Sequence, residues 1–239
     1  MLLEICIDDE AGLRTAIAGG ADRIELCAAL VAGGLTPSVG FMRWACANAA
    51  VPVMVMIRPH DYGFAFSENE VDAMLIDIEM AKAAGAAGVV IGCLTPDKAI
   101  DVAATERLLA AAGGSSVTFH RAFDLTPDPL VALDTLIELG IDRVLTSGQA
   151  RTVGDGRTLI ERLIEHAAGR IVVMPGGGLL GMRTAELIAS LSAAEFHASA
   201  SRDRSLFNTL EQVTGGVIMR RRTDLERVRM LRGWLDASG

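Results

Sequence analysis

Short apolar, β-branched runs alternate with longer Ala- and Leu-rich stretches along all 239 residues of the chain. The runs LLEICI (2–7), RIELC (23–27), VMVMIR (53–58), GVVIG (88–92), SVTFHR (116–121), RVLTS (143–147), RIVVMP (170–175) and EFHAS (195–199) read as strands. Helical periodicity fills the spaces between them, over 9–19, 37–50, 67–84, 101–112, 128–139, 156–168 and 181–191, and a last helix covers roughly 223–237. GGADRIEL, GAAGVVI and LGIDRVLT repeat one signal, a glycine at a helix end, a short turn and then a strand. Strands and helices alternating in this way predict an α/β fold, a single (β/α)8 TIM barrel over residues 1–239. A doubly wound open sheet would show a glycine-rich fingerprint after its first strand, and EICIDDEAG is not one.

Composition narrows the picture. Hydrophobic residues make up 51% of the chain and aromatic residues only 4%, so the large core is built from Ala, Val, Leu, Ile and Met. The formal net charge of −8 argues against nucleic acid or an anionic membrane surface as partner. The basic cluster RRR at 220–222 reads as a solvated face beside the last helix. Cys6, Cys27, Cys46 and Cys93 form no CxxC pair and no dense framework, so they read as reduced thiols of a cytoplasmic protein. No signal peptide and no membrane span is expected.

The chemistry concentrates where a barrel keeps its function, at the C-terminal ends of the strands. Glu4 and Cys6, Glu25 and Cys27, Met56 and Arg58, Thr118 and His120, and His197 and Ser199 are all i, i+2 pairs, so each shares one strand face. Two glutamates facing inward repel each other unless a cation lies between them, and Arg58 and His120 are the expected cations. One reading is a buried ion-pair network that shapes the barrel interior. The other is an acid/base site, with Glu4, Glu25, His120 and Asp124 as catalytic groups and Arg58 holding an anion through paired N–H donors. Arg121, the turn glycines Gly176, Gly177 and Gly178 of PGGGLLG, and Ser199 are the further anion-binding candidates, since barrels often hold a phosphate after strands seven and eight. Thr146 and Ser147 end the sixth strand at the same mouth. AALVAGGLTPS (28–38) predicts a rim loop whose Thr36-Pro37 opens the next helix as N-cap and first residue. His60 and Asp61 read as exposed rim, and Cys46 and His166 as structural or solvated.

LLEIC, GADRIELCAALVAGGLTPS, IRP, VTFHRAFD, LGIDRVLTSGQ and the His-x-Ser of FHASA occur in this order, and together they resemble the CutC family, usually called copper homeostasis proteins. The resemblance runs over essentially the whole chain. It implies a TIM barrel, a homo-oligomer in the cytoplasm, and a link to copper. By position, the family's mouth residues correspond to Glu4, Cys6, Glu25, Cys27, Arg58, His120, Arg121, Asp124 and His197. Some members carry a second cysteine where this chain has Ile7, which removes one soft ligand here.

Two function classes follow. The first is binding of copper(I) by the thiols of Cys6 and Cys27, with the Met56 thioether in reach, because soft sulfur ligands suit that ion. The second is an isomerase, lyase or hydrolase acting on a small anionic or phosphorylated metabolite, because the polar groups at the strand ends outnumber what a two-thiol site needs.

Overall fold

Each barrel strand exposes one face to the helices and one to the barrel axis, and its residues divide accordingly. The computed structural model describes residues 1–181, 183–205 and 219–238, with the side chains of 204, 205, 219 and 220 outside the description. Eight strands run in chain order, β1 (Leu2–Ile7), β2 (Arg23–Leu26), β3 (Val53–Met56), β4 (Gly88–Ile91), β5 (Ser116–Phe119), β6 (Arg143–Thr146), β7 (Val172–Pro175) and β8 (Glu195–Ala198). All neighbouring pairs are parallel, in the order β7-β6-β5-β4-β3-β2-β1-β8, and a parallel bridge from Gly176 to His197 closes the circle. The helices between them are α1 (Glu10–Ala18), α2 (Val39–Asn48), α3 (Glu68–Ala83), α4 (Val102–Ala112), α5 (Pro129–Glu138), α6 (Arg157–Ala167) and α7 (Thr184–Ser190). The fold is the expected (β/α)8 barrel.

Polar side chains begin most of the helices. Asp9, Ser67, Asp101 and Asp128 accept from backbone N–H groups of the first turns of α1, α3, α4 and α5, satisfying donors that lack an intrahelical partner. Ser38, and not Thr36, caps α2 by accepting from Phe41 N–H. Thr36 is drawn away because its Oγ1 accepts from the Arg58 N–H across the barrel rim at 2.9 Å.

The strand alternation builds two different interiors. Leu3, Ile5, Ile24, Leu26, Val53, Val55, Val89, Ile91, Val173 and Phe196 point outward and form one continuous apolar core with the helices. The opposite parity points inward. On β3 and β4 it supplies Met54, Met56 and Val90, which pack with Cys27 in a small inner cluster. On β1, β2, β6 and β8 it supplies Glu4, Cys6, Arg23, Glu25, Arg143, Glu195 and His197. The barrel therefore has a greasy side and a charged side.

Beyond β8 the chain forms an antiparallel hairpin, β9 (Ser201–Ser205) and β10 (Met219–Thr223), followed by α8 (Leu225–Ser238). Val228, Leu231 and Leu235 of α8 are buried. The hairpin corrects the expectation for the basic cluster. Arg221 and Arg222 belong to a strand, β10, paired in register with Asp203 and Arg202, and they border the barrel mouth instead of serving only as a solvated face beside the helix.

Gly88 is where the barrel is tightest. A Cβ there would meet the Ser116 backbone carbonyl oxygen of β5 at 2.1 Å, while a Cβ on Gly40 in α2 would meet nothing within 4 Å. Gly88→Ala is expected to destabilise the protein by about 2 kcal/mol or more in urea melts, and Gly40→Ala to stabilise it by up to about 1 kcal/mol. Equal effects of the two substitutions would contradict the strand spacing.

Candidate functional site

The mouth is organised around Glu4 and Glu25, both buried, on neighbouring strands. Neither Arg58 nor His120 lies between them. Arg23 and His197 do that work, because the parallel register sets Arg23 of β2 and His197 of β8 opposite Glu4 on either side. Arg23 Nε donates to Glu4 Oε2, and Arg23 Nη2 donates to Glu195 Oε2 at 2.5 Å. Arg143 Nε reaches the same Glu195 oxygen at 3.1 Å, and its Nη1 donates to Ser116 and Thr118. The charged side of the barrel is thus a chain, Arg143–Glu195–Arg23–Glu4–His197.

His197 ends the chain at the mouth. Its Nδ1 lies 2.8 Å from Glu4 Oε1, and its Nε2 faces Glu25 Oε2 at 3.8 Å and the Cys6 thiol. The carboxylates and Cys6 hold this imidazole protonated well above the ordinary histidine range, against the opposing effect of burial. Glu4, although fully buried, is held down to about 2 by His197 and Arg23. Burial raises Glu25, and the negative charge of Glu4 adds to it. Burial also raises the Cys6 and Cys27 thiols, Cys27 the further, with Glu25 next to it adding to the effect. Cys27 Sγ donates to Glu25 Oε2 at 3.5 Å. Among the described residues, Cys6, Glu25 and His197 form a group with the makings of a metal site, their ligand atoms all within 4.8 Å of one another. Cys27 stands behind Glu25, in the inner apolar cluster, and is not in that group.

His120 and Arg58 occupy the opposite wall. Ala122 N–H donates to His120 Nδ1 at 3.1 Å, so the ring carries its proton on Nε2. Burial and the positive charge of Arg58 push the imidazole down to about 3. The ring rests on Gly92, where a Cβ would come within 2.2 Å of it, and tilts against Phe64. Arg58 spends Nη1 on the carbonyls of Ala32 and Gly34 and Nη2 on that of Asp61, tying the two rim loops together. Three of its five N–H donors are spent in this way, and the buried Nε is left without a partner.

The other expected residues divide. Asp124 accepts from Thr146 Oγ1, the Ser147 N–H and hydroxyl, the Gln149 N–H and Arg121 Nε, with no lone pair left for proton transfer. It staples the loop after β6 to the loop after β5, and Thr146 and Ser147 serve the same staple. Arg121 also donates to Ser147, yet lines the mouth cavity. Ser199 lines the cavity as well, its hydroxyl 3.1 Å from that of Ser201.

The turn glycines Gly176, Gly177 and Gly178, expected to bind an anion, are not among the residues that line it. Each is taken up by neighbouring chain. Gly176 N–H donates to the Thr146 carbonyl, and the Gly177 carbonyl accepts from Val153 N–H at 2.9 Å. The Arg121 guanidinium and Ser147 crowd Gly177, so that a Cβ there would lie 3.2 Å from Arg121 Nη1, and Thr152 covers Gly178 in the same way. The turn therefore anchors the loop after β6 to the end of β7.

The cavity has a volume of about 670 Å³. It is walled by Cys6, Glu25 and His197 on one side and Arg58, Phe64 and His120 on the other, with Arg221, Arg222 and Thr223 of the hairpin at its rim. Arg23, Arg143, Glu195 and the hairpin went unmarked in the sequence pattern. Barrel closure was the available signal for His197 as the partner of Glu4, since it sets the last strand against the first.

The sequence pattern of the CutC family matches residues 1–202. A CutC family protein of Sinorhizobium medicae is 45% identical over 239 residues, which is 99% of this chain and 97% of that one. The human copper homeostasis protein cutC homolog is 47% identical over 203 residues, 85% of this chain and 74% of its own. The crystal structure of CutC from Streptococcus agalactiae superposes with a TM-score of 0.79 at 32% identity, covering 83% of this chain and 98% of that one. Barrels under 25% identical, such as the aldolase QR15 at a TM-score of 0.62 and 15% identity, share the fold alone.

Opposite pH behaviour is expected of the two histidines. His120 stays neutral in the folded chain down to about pH 3, while the unfolded chain protonates it near 6.5. Its contribution to stability is therefore complete above 6.5 and lost as pH falls. His197 keeps its proton when folded, so its contribution is complete below 6.5 and lost as pH rises through its raised value. Urea melts from pH 4.5 to 9 are expected to show the acid limb of His120→Asn flatter than wild type by about 1.4 kcal/mol per pH unit, and the alkaline limb of His197→Asn flatter likewise. Parallel curves for wild type and variants would contradict both assignments.

Proposed function

We propose that this chain, which belongs to the CutC family, is a cytoplasmic copper-homeostasis protein that binds copper(I) at the mouth of its barrel. The observation that carries the reading is the contact between His197 Nδ1 and Glu4 Oε1 at 2.8 Å. A carboxylate on one ring nitrogen fixes a histidine so that the other nitrogen is offered to a metal. Here the offered Nε2 faces Cys6 and Glu25. A thiolate with an imidazole suits copper(I), and Cys27 and Met56 place two further sulfurs in the adjoining inner cluster. The four cysteines are free thiols, as a reducing compartment requires. No described helix is long and apolar enough to cross a membrane.

Binding of the ion has to displace the protons that burial and the carboxylates hold on Cys6 and His197. Affinity is therefore expected to rise with pH. Titration of the reduced protein with copper(I) against a competing chelator is expected to give a complex that Cys6→Ser or His197→Asn weakens strongly. Glu4→Gln, which loosens the orientation of the ring and also takes the charged partner from Arg23, is expected to weaken it about 10–100-fold. Equal affinity in wild type and in the Cys6→Ser/Cys27→Ser double variant would overturn the proposal.

A second reading, an isomerase, lyase or hydrolase for a small anion, is favoured by one observation. The cavity of about 670 Å³ is the size of a small-molecule site and far larger than an ion needs.

A further inference from the structure

Buried polar atoms in a folded protein almost always have a hydrogen-bond partner, so those without one locate what the fold leaves to a ligand. Among the described residues, seven such atoms occur, and four belong to residues that line the mouth cavity: Glu25 Oε1, Arg58 Nε, His120 Nε2 and Arg222 Nε. Glu25, Arg58 and His120 are themselves more than nine-tenths buried.

The chemistry of the four is complementary. His120 Nε2 carries the proton of a ring whose Nδ1 is occupied, so it is a donor of fixed direction. Arg58 Nε–H is a second donor, and Arg58 cannot move toward a ligand because its other nitrogens hold the rim loops. Glu25 Oε1 is an acceptor when its carboxyl is ionised. His120 and Arg58 stand outside the Cys6–Glu25–His197 group, while Glu25, which belongs to it, turns Oε2 to His197 and Cys27 and leaves Oε1 unpartnered. At the rim, Arg222 reaches Asp9 only at 3.9 Å, while Asp9 is engaged in capping α1. The Arg222 side chain is 37% exposed, so a cation stands at the entrance in reach of solvent and cavity together. Arg222 also lies outside residues 1–202, the stretch that the family pattern covers.

We infer that the cavity binds a small hydroxylated organic anion, with its carbonyl or hydroxyl groups between His120, Arg58 and Glu25 and its phosphate or carboxylate held at the rim by Arg222 of the β9–β10 hairpin. The inference rests on the second reading above and deepens it by naming the ligand class and assigning the β10 arginine as a specificity residue. The proton on His120 Nε2 and the Arg58 Nε–H supply neutral and cationic donors at one end, and the anion meets a second, solvent-screened cation at the other. An ion of copper would use neither end.

The test is thermal shift and calorimetric titration of chelator-treated, full-length protein with glycerol 3-phosphate, glycerate, inorganic phosphate and, as neutral control, glycerol. At least one of the two organic anions is expected to raise Tm by about 3–6 °C at roughly ten times its Kd, and glycerol to do nothing. The glycerol 3-phosphate and glycerate arms separate a phosphate site from a carboxylate site. Arg222→Gln, on a solvent-facing strand, is expected to fold normally and weaken the anions about 10-fold or more. His120→Gln is expected to weaken the organic anions while leaving inorganic phosphate unchanged. If an organic anion binds wild type and Arg222→Gln equally, the hairpin clamp is overturned while the small-anion reading stands. If no probe binds wild type at millimolar concentration, or glycerol binds as well as its phosphate, both fall.

Discussion

Two carboxylates buried side by side on neighbouring strands are the constraint on which the rest of this barrel depends. Taking a charged carboxylate out of water costs several kcal/mol unless a cation and hydrogen bonds replace the lost solvent. Glu4 has both, from Arg23 on one side and His197 on the other. Removing either partner would leave a buried charge uncompensated, so the three side chains fix one another. Arg23 in turn needs Glu195, and Glu195 is shared with Arg143. A single inward-facing glutamate thus recruits four of the eight strands into one interior network.

The network explains why the mouth is asymmetric. Its positive and negative groups are consumed in the lower layers, so what reaches the cavity is a protonated histidine, a thiol and a carboxyl group of raised proton affinity. On the opposite wall His120, buried beside Arg58, is neutral. One cavity therefore presents an imidazolium and a neutral imidazole to the same contents. Environment alone sets these two states apart, one ring lying among carboxylates and the other beside a guanidinium.

The barrel was legible because each strand announces its two faces. LLEICI places Leu3, Ile5 and Ile7 outward and Glu4 and Cys6 inward, and that parity holds in the structure. Arg23 was not legible as a site residue because it opens its strand, whereas chemistry was expected at strand ends. Its role comes from register, with Glu4 opposite Arg23, which no local pattern reveals. Arg58 and Asp124 were legible as polar groups at the mouth, but Arg58 bonds the Gly34 backbone and Asp124 bonds Thr146 and Ser147, contacts made between segments more than twenty residues apart in the chain. Gly177 was legible as a turn residue, yet the same loop contacts, Val153 and Arg121 among them, decide that it braces the fold and does not face the cavity. The β9–β10 hairpin escaped because SRDRS and MRRRT carry almost no apolar face, so their alternation leaves no hydrophobic signature.

Both the interior network and the chemistry of the mouth hang on the Glu4–His197 pair, and nitrogen-15 NMR of histidine-labelled protein at pH 7 tests it most directly. His197 is predicted to show both ring nitrogens protonated, with a Nδ1 proton shifted downfield by Glu4 and lost from that position in Glu4→Gln. His120 is predicted to show a neutral ring protonated on Nε2 in the same spectrum. A neutral His197 whose resonances ignore Glu4→Gln would contradict the pairing.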